Sequence, residues 1–160
     1  PPTAWVRCRW RHRGNRMGAD TIMTSTALDQ LACSQVLGRM FHRLDSVDYD
    51  GVAAQFSESC EWHRQGKVLR SHAEIIAALK LRPPHLFVQH ILHEVVCDPV
   101  SENRMRGFAY MTVFRKEFDQ PPTLPLPTER PDMLISWSAE FTRESGEWRI
   151  KHLTNTALYR

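Results

Sequence analysis

The acidic residue Asp45 is the first candidate for chemistry in this chain, because it stands where a long helical pattern gives way to a turn. A carboxylate at such a position is either an ordinary turn residue or one half of a catalytic pair. The second interpretation requires a partner that moves protons, and histidine is the side chain suited to that near neutral pH. The stretch from Phe41 to Trp62 therefore organises the interpretation of the rest of the sequence.

The chain has eight histidines, and their spacing does not favour a metal site. His90 and His93 lie three apart on a predicted strand, which puts their rings on opposite faces. The sequence contains no H-x-H or H-E-x-x-H motif. Its seven glycines are isolated, so no glycine-rich loop is available to bind a nucleotide phosphate. We therefore predict neither a metal nor another cofactor.

Length and composition are those of an ordinary globular protein. The chain has 160 residues, 42% of them apolar and 24% charged, without an apolar run long enough to cross a membrane. Its four cysteines form no C-x-x-C pair, so we expect reduced thiols and a cytoplasmic location. Cys33, Cys60 and Cys97 are interpreted as small buried hydrophobic residues.

The net charge of +3 comes from an N-terminal arm, residues 1–22. The arm carries five arginines against one aspartate, so the rest of the chain is at about −1 and lacks the basic surface of a nucleic-acid-binding protein. It has no periodic apolar face, and we predict a disordered basic arm or an extended start. Residues 23–160 are predicted to form a single domain.

Hydrophobic periodicity predicts helices in the first half of the chain. Thr24-Ser25-Thr26 offers N-cap residues for a long helix. Apolar residues from Leu28 to Leu44 then recur every three or four positions, which predicts a helix that ends near Asp45. Asp48 is expected to cap a short second helix.

A third helix and several strands follow. Gly66 marks the turn of a short hairpin, and Ser71-His72-Ala73-Glu74 is a capping box that begins the third helix. From His85 onward the hydrophobic period changes to two, which predicts four long strands. Residues 119–131 hold five of the ten prolines and are expected to form a surface loop, with a lid or a dimer contact as the alternative.

Helices followed by long strands predict an α+β fold. We expect a cone-like, curved, mostly antiparallel sheet wrapped round the long N-terminal helix, with two further short helices, and such a cone encloses a pocket. On the first long strand, alternation places one set of side chains on a common face: Val88, His90, Leu92 and Val96. The opposite face takes Phe87, Gln89, Ile91, His93, Val95 and Cys97.

Three segments carry a more specific pattern. They are Leu44-Asp45 with the following acidic turn and Phe56, Cys60 and Trp62; Gly66 with the capped third helix; and Gln89-His90 with the closing run from Gly146 to His152. Together they resemble the SnoaL-like domains of the nuclear transport factor 2-like superfamily, over about residues 25–157. That superfamily includes ketosteroid isomerase, scytalone dehydratase, polyketide cyclases, a hexachlorocyclohexane dehydrochlorinase, dioxygenase small subunits and binding-only modules, so the resemblance implies a fold more than a function.

The resemblance also implies a catalytic pair. In the dehydratase and dehydrochlorinase branch an Asp at the end of the first helix orients a His on the first long strand, and Asp45 and His90 match these positions. The imidazole would take a proton from carbon while the carboxylate holds its tautomer. Met40 and Leu153 stand where the dehydrochlorinase has basic residues, which disfavours dehalogenation. Trp62-His63-Arg64 offers no acid where ketosteroid isomerase carries its base.

The expected activity is that of a dehydratase-like lyase or an isomerase, without a cofactor, acting on a small cyclic or aromatic compound. The side chains expected to line the pocket are Tyr49, Trp62, Phe108, Tyr110, Trp137, Trp148 and His152. Packing roles remain open for the two tyrosines and for His152. The alternative is a non-catalytic ligand-binding or dimerisation module, or the small subunit of a larger enzyme. We expect a small apolar or aromatic ligand and a homodimer formed through the outer sheet face, with neither nucleic acid nor membrane as partner.

Overall fold

One long helix opens the part of the chain that the computed structural model describes. The described residues are 17–127 and 130–159, with side chains from residue 25 onward. Helix α1 spans Met17–Asp45 and ends at the predicted residue. The predicted cap is wrong, because Thr24-Ser25-Thr26 lies inside the helix. The remaining residues of the predicted arm, 1–16, lie outside the described residues, and the domain boundary stays a prediction.

One face of α1 packs against the inside of the sheet. Its buried side chains follow the spacing of a helix with a single apolar stripe: Cys33, Val36, Leu37, Met40, Phe41 and Leu44. Burial of each large apolar side chain contributes about 1.5–3 kcal/mol. The sequence predicts Leu28 and Leu31 on this face as well, but they are 60% and 55% exposed. Among the side chains described in α1, from residue 25 on, the buried apolar stripe therefore begins at Cys33.

A tight turn redirects the chain after α1. Val47 has a φ of 61°, in the left-handed region, and Asp48 caps helix α2, Tyr49–Ala53, by accepting a hydrogen bond from the backbone N–H of Gly51 at 2.9 Å. This bond, with a smaller contribution from Arg43, lowers the pKa of Asp48. The predicted cap is confirmed. Asp48 thus builds the acidic turn, and the carboxylate at the end of α1 is available for another partner.

A hairpin and a third helix complete the first half. Strand β1 is Phe56–Arg64 and strand β2 is Lys67–Leu69, and the turn between them has φ values of 51° at Gln65 and 78° at Gly66. Two successive residues with positive φ match the right-handed twist of the flanking strands. Helix α3, His72–Leu79, begins at the predicted cap.

The capping box of α3 closes as its sequence predicts. Ser71 Oγ accepts a hydrogen bond from the backbone N–H of Glu74 at 3.2 Å. The Glu74 carboxylate reaches back and accepts one from the backbone N–H of Arg70 at 2.7 Å. Two N–H groups that would otherwise lack partners at the start of the helix are thereby bonded.

Four long strands complete a six-stranded sheet: β3 (Leu86–Ser101), β4 (Arg104–Glu117), β5 (Met133–Glu144) and β6 (Glu147–Tyr159). The order across the sheet is β2-β1-β6-β5-β4-β3. Every neighbouring pair is antiparallel except β1 with β6. The sheet curves without closing, and α1 lies against its concave side, which confirms the predicted α+β cone.

The alternation along β3 changes partway, so part of the predicted face assignment is wrong. The register with β4 shifts between Leu92 and Val95. Beyond this β-bulge, Val95 packs against the core and Cys97 is buried, whereas Val96 is 51% exposed. An extra residue in one strand turns every later side chain to the opposite face.

A second bulge changes the face of β6. Phe141 of β5 is opposite Ile150, but the preceding residue Glu140 is opposite His152. One residue of β6 is therefore unpaired at this point. Leu153, rather than His152, continues the buried side of the strand. His152, which the sequence analysis expects in the pocket, consequently lies on the outside of the sheet.

The proline-rich segment between β4 and β5 has no helix or strand in its described residues, as predicted. Together with the outer face of β3 and β4 it borders a shallow cavity of about 300 Å³. Among the described residues, no helix combines the length and apolar character that crossing a membrane demands.

Candidate active site

The end of α1 meets the middle of β3 through a pair of ionisable side chains. The Asp45 carboxylate is bonded through Oδ1 to Nδ1 of His90 by a short contact. The other oxygen, Oδ2, accepts hydrogen bonds from the backbone N–H of His90 at 2.8 Å and from the Gln89 amide at 3.0 Å. The two side chains are only 10% and 13% exposed. The aspartate is thus held by three donors, which fix both of its oxygens.

This geometry determines which nitrogen of His90 is available. An ionised carboxylate only accepts hydrogen bonds, so Nδ1 carries the proton that points to Asp45. In the neutral ring the other nitrogen, Nε2, then has a free lone pair. No described residue bonds to Nε2. The Phe41 ring, with its centroid 5.4 Å from that of His90, packs beside the imidazole and restricts its position.

His90 forms part of the wall of a cavity of about 480 Å³ between α1, α3 and the sheet. Most of the wall is apolar. The contributing apolar side chains include Phe41, Leu44, Trp62, Leu69, Leu86, Val88, Val113, Met133, Ile135 and Trp137. A small, largely hydrophobic molecule could therefore bind with one of its C–H groups near the imidazole.

The rest of the wall is positively charged. Four basic side chains contribute to it, namely Arg64, Lys67, Arg82 and Arg115, together with the neutral amides of Gln65 and Asn155. No Asp or Glu belongs to the described lining. Burial lowers the pKa of Arg64, and the neighbouring charge of Arg82 lowers it further. The apolar cavity thus carries an uncompensated positive charge.

Two of the aromatic residues expected to line the pocket do so, and two do not. Trp62 and Trp137 are buried in the cavity wall. The prediction for Phe108 and Tyr110 is wrong, since they are 42% and 47% exposed on the opposite face of β4. Their rings pack against each other with centroids 5.0 Å apart. The inward positions of this strand belong to the alternate residues, such as Ala109.

Three further predicted pocket residues lie elsewhere. Tyr49 packs against the core from α2 without contributing to the cavity wall. Trp148 is buried at another site, where its indole N–H donates to Asp29 at 3.0 Å and the Arg143 guanidinium lies over its ring. His152 is on the outer face, because of the bulge in β6. None of the three lines the cavity that contains His90, so their predicted place in its wall is wrong.

His152 instead belongs to a group that could hold a metal ion. Glu61 and His63 are two residues apart on β1 and both lie on its outer face, and His152 on β6 is directly opposite Glu61. Their potential ligand atoms lie within 4.8 Å of one another, and they form the one such group among the described residues. Histidine and carboxylate are common ligands of Zn²⁺. The group is on the face away from the cavity, and Glu61 already pairs with Arg70 at 3.3 Å.

The cysteines take the structural role expected of them. Cys33, Cys60 and Cys97 are free and buried. Burial raises the pKa of Cys33 to about 12 and that of Cys97 to about 11. Thiols with such pKa values stay protonated and make poor nucleophiles. Met40 and Leu153 are likewise fully buried core residues, so the charges of the dehydrochlorinase pattern are missing from these positions.

The residues that the sequence analysis missed are Gln89 and the basic groups of the cavity. Gln89 is next to His90 and was assigned to the opposite face, yet its amide bonds to the same carboxylate. Arg64 follows Trp62 by two on β1, so the period of two could have placed it on the inner face. Nothing in the sequence pairs Arg64 with Arg82, because they come from different elements.

The comparison that decides the family is with a model of the SnoaL-like domain, which matches residues 25–154. The chain belongs to this family. The predicted SnoaL-like domain is confirmed by this match, and solved structures show the same fold. Among curated proteins, none matches its sequence.

Three solved structures illustrate the shared fold of this SnoaL-like domain. A proposed scytalone dehydratase from Novosphingobium aromaticivorans is 17% identical, with a TM-score of 0.66 over 87% of each chain. The hexachlorocyclohexane dehydrochlorinase LinA-type3 from Novosphingobium barchaimii is 12% identical, with a TM-score of 0.64 over 89% of this chain and 91% of that one. A protein of unknown function with a cystatin-like fold from Nostoc punctiforme is 12% identical, with a TM-score of 0.65 over 82% and 92%.

Proposed function

We propose that this SnoaL-like domain is a cofactor-independent lyase of the dehydratase type, or an isomerase, that acts on a small cyclic or aromatic compound. The proposal rests on one observation: Asp45 is bonded to Nδ1 of His90, and His90 also lines an apolar cavity. The names of two proteins with the same fold, a dehydratase and a dehydrochlorinase, point to the same class of elimination chemistry.

The proposed reaction begins when Nε2 of His90 takes a proton from a substrate carbon next to a carbonyl group. The C–H electron pair forms an enolate. In an elimination, the enolate re-forms the carbonyl and expels hydroxide from the neighbouring carbon, and hydroxide takes the proton from the imidazolium to give water. In an isomerisation, the imidazolium returns the proton to a different carbon. Both paths restore neutral His90, and all atoms are accounted for.

Asp45 supports this cycle by its charge and by its position. The carboxylate stabilises the imidazolium that forms after proton transfer, and it keeps Nδ1 protonated so that Nε2 is the base. Gln89 and the backbone N–H of His90 hold the carboxylate in place. A positioned acid–base group of this kind typically contributes about 10²–10⁴-fold to a rate.

The test uses β-hydroxy ketones on six-membered rings, because their dehydration gives conjugated enones that absorb in the ultraviolet. Ketones without a leaving group are followed in parallel by NMR in D₂O, where proton abstraction appears as loss of the α C–H signal. We expect catalysed elimination or exchange with the wild-type protein. His90→Gln should lower either rate by at least about 10²-fold.

His93→Gln is the matched control for this experiment. His93 is on the same strand but is exposed and bonds to Thr112 at 2.8 Å, so its replacement should leave the rates unchanged. Equal rates for wild type and His90→Gln would contradict the proposed base. The absence of both elimination and exchange across the ketones would contradict the reaction class.

A second candidate function is a dimerisation or binding module, and the outer sheet face supports it. Ile91, Val96, Phe108 and Tyr110 expose between 42% and 51% of their surface there. Exposed apolar groups on one sheet face are typical of an interface. We propose that the protein forms a homodimer through this face. We also propose that it is located in a reducing compartment such as the cytoplasm, because three of its cysteines are free thiols. Light scattering would test the dimer: Phe108→Arg should convert dimer to monomer, and a monomeric wild type would contradict it.

A further inference from the structure

The cavity that contains His90 has a charge that its apolar walls do not explain. Four cationic groups border it: Arg64, Lys67, Arg82 and Arg115. Among the side chains described, those of residues 25–127 and 130–159, no carboxylate oxygen lies within 4.0 Å of a side-chain nitrogen of these four. The Asp132 carboxylate does accept a hydrogen bond from the backbone N–H of Arg115 at 2.5 Å. Outside the cavity wall, five described arginines have a carboxylate partner, namely Arg43, Arg70, Arg104, Arg143 and Arg149. The described arginines outside the wall without such a partner, Arg39, Arg106 and Arg130, are exposed to solvent, whereas Arg64 and Arg82 are partly buried.

The two cavity arginines that are partly buried have only neutral acceptors. Arg64 donates to the side-chain oxygen of Gln65 at 3.1 Å, and its guanidinium lies 5.5 Å from the centre of the Trp62 ring. Arg82 donates to the backbone oxygen of Leu44 at 2.8 Å. These bonds orient the guanidinium groups without neutralising them. Both residues line the same cavity. Burial lowers the pKa of Arg64 and the charge of Arg82 lowers it further, so an anion in this cavity would be stabilised by both charges.

The strand register places a third cation on the same wall as the proposed base. His90 is opposite Val113, and Val88 is opposite Arg115. Arg115 is two residues beyond Val113, so its backbone lies roughly 7 Å along the strand from the level of His90. Arg115 is exposed, which places it toward solvent.

We propose that the ligand of this cavity is a carboxylate of a cyclic or aromatic compound, with its anionic group bound by Arg64 and Arg82. The ring would rest against the apolar wall, and a ring C–H would face Nε2 of His90, a placement that rests on the proposed function. Arginine suits this role because its planar guanidinium makes two parallel bonds to a carboxylate. Arg115 and Lys67, at the exposed edge, attract the anion as it approaches.

The experiment compares acids with neutral amides of the same shape. Benzoate, cyclohexanecarboxylate and 2-naphthoate are each measured against the corresponding amide by isothermal titration calorimetry and by thermal shift. We expect at least one acid to bind at least about tenfold more tightly than its amide, because the amide cannot form a charge-assisted pair. The preference should shrink as salt is raised. Equal binding of each acid and its amide, or binding of neither, would overturn the proposal.

Three variants locate the binding site. Arg64→Gln and Arg115→Gln should weaken the acid while leaving the amide unchanged, with the larger loss at Arg64. Arg115 is exposed, so that variant tests the idea even if Arg64→Gln folds poorly. Arg106→Gln is the control, since it removes the same charge from an exposed position on β4 outside the cavity. Equal acid affinity in all three variants would place the anion elsewhere.

His90→Gln separates this inference from the proposed function. The variant should still prefer acid to amide, because the carboxylate is bound by the arginines and not by the imidazole. If the wild type prefers acids and His90→Gln catalyses as fast as the wild type, the mechanism is refuted and the anion site is supported. Loss of catalysis in that variant, without any acid preference in the wild type, would refute the anion site and keep the mechanism.

Discussion

The substitution Asp45→Asn tests the central pair most directly, because it keeps the shape of the side chain and removes its charge. One carboxylate oxygen accepts bonds from both the backbone N–H of His90 and the amide of Gln89, and the other accepts from the imidazole. The backbone N–H cannot change its character. The single oxygen of asparagine must therefore stay on that side, which turns the NH₂ group toward the ring of His90.

This reversal has two calculable consequences. The NH₂ group donates, so Nδ1 of the ring must become an acceptor, and the proton of the neutral ring moves to Nε2. One charge-assisted bond of about 1.5–3 kcal/mol is replaced by a neutral one of about 1 kcal/mol. We therefore expect the free energy of unfolding to fall by about 0.5–2 kcal/mol. With Nε2 protonated, any turnover that uses it as a base should fall by about 10²–10⁴-fold.

The tautomer can be measured without a substrate. The ¹⁵N chemical shifts of the histidine ring distinguish Nδ1–H from Nε2–H, and His90→Gln identifies the signals that belong to this residue. We expect Nδ1–H in the wild type and Nε2–H in Asp45→Asn, with urea unfolding reporting the stability loss. Nδ1–H in both proteins, or a variant as stable as wild type, would refute the reasoning. Asp50→Asn, at an exposed position of α2, is the matched control.

Two stability predictions accompany this one. Gly107→Ala should lower the free energy of unfolding by about 1–3 kcal/mol, because its Cβ would lie 2.7 Å from the buried ring of Phe141. Gly38→Ala, at an open position of α1, should raise it by about 0.5–1 kcal/mol. Urea unfolding of both variants measures these changes, and changes of the opposite sign would contradict the prediction. Ser71→Ala should cost about 1 kcal/mol by removing the cap of α3, while Ser71→Thr should recover most of it, and equal stability of the two variants would show that the cap contributes nothing.

The order and type of the elements could be predicted because they depend on local patterns. The capping box at Ser71 and the cap at Asp48 each satisfy N–H groups within one turn of helix, so their effect is contained in a few neighbouring residues. The change of hydrophobic period at His85 is equally local. The predicted cap at Thr24-Ser25-Thr26 was wrong because α1 continues through it, and a good capping residue is also tolerated inside a helix.

The face of a strand residue was less predictable, since alternation holds only while the pairing is regular. The bulges in β3 and β6 each turn the following side chains over, and this moved Val96 and His152 to the outside. Phe108 and Tyr110 are aromatic residues of the kind that line pockets, yet on their strand the alternate residues, such as Ala109, face inward. Neither effect has a signature in the residues themselves, because a bulge depends on the partner strand.

The sequence by itself determined the helix that carries Asp45, the strand that carries His90 and, through its resemblance, the SnoaL-like family to which both belong. Only the tertiary structure decided that the carboxylate contacts the imidazole, and that Arg64, Arg82 and Arg115 line one cavity to which no acidic side chain of the described residues contributes. The physical reason is one of range. Periodicity and capping act over a few residues, whereas the charge inside a cavity is the sum over elements that are far apart in the chain and meet only when the sheet curves round the helix.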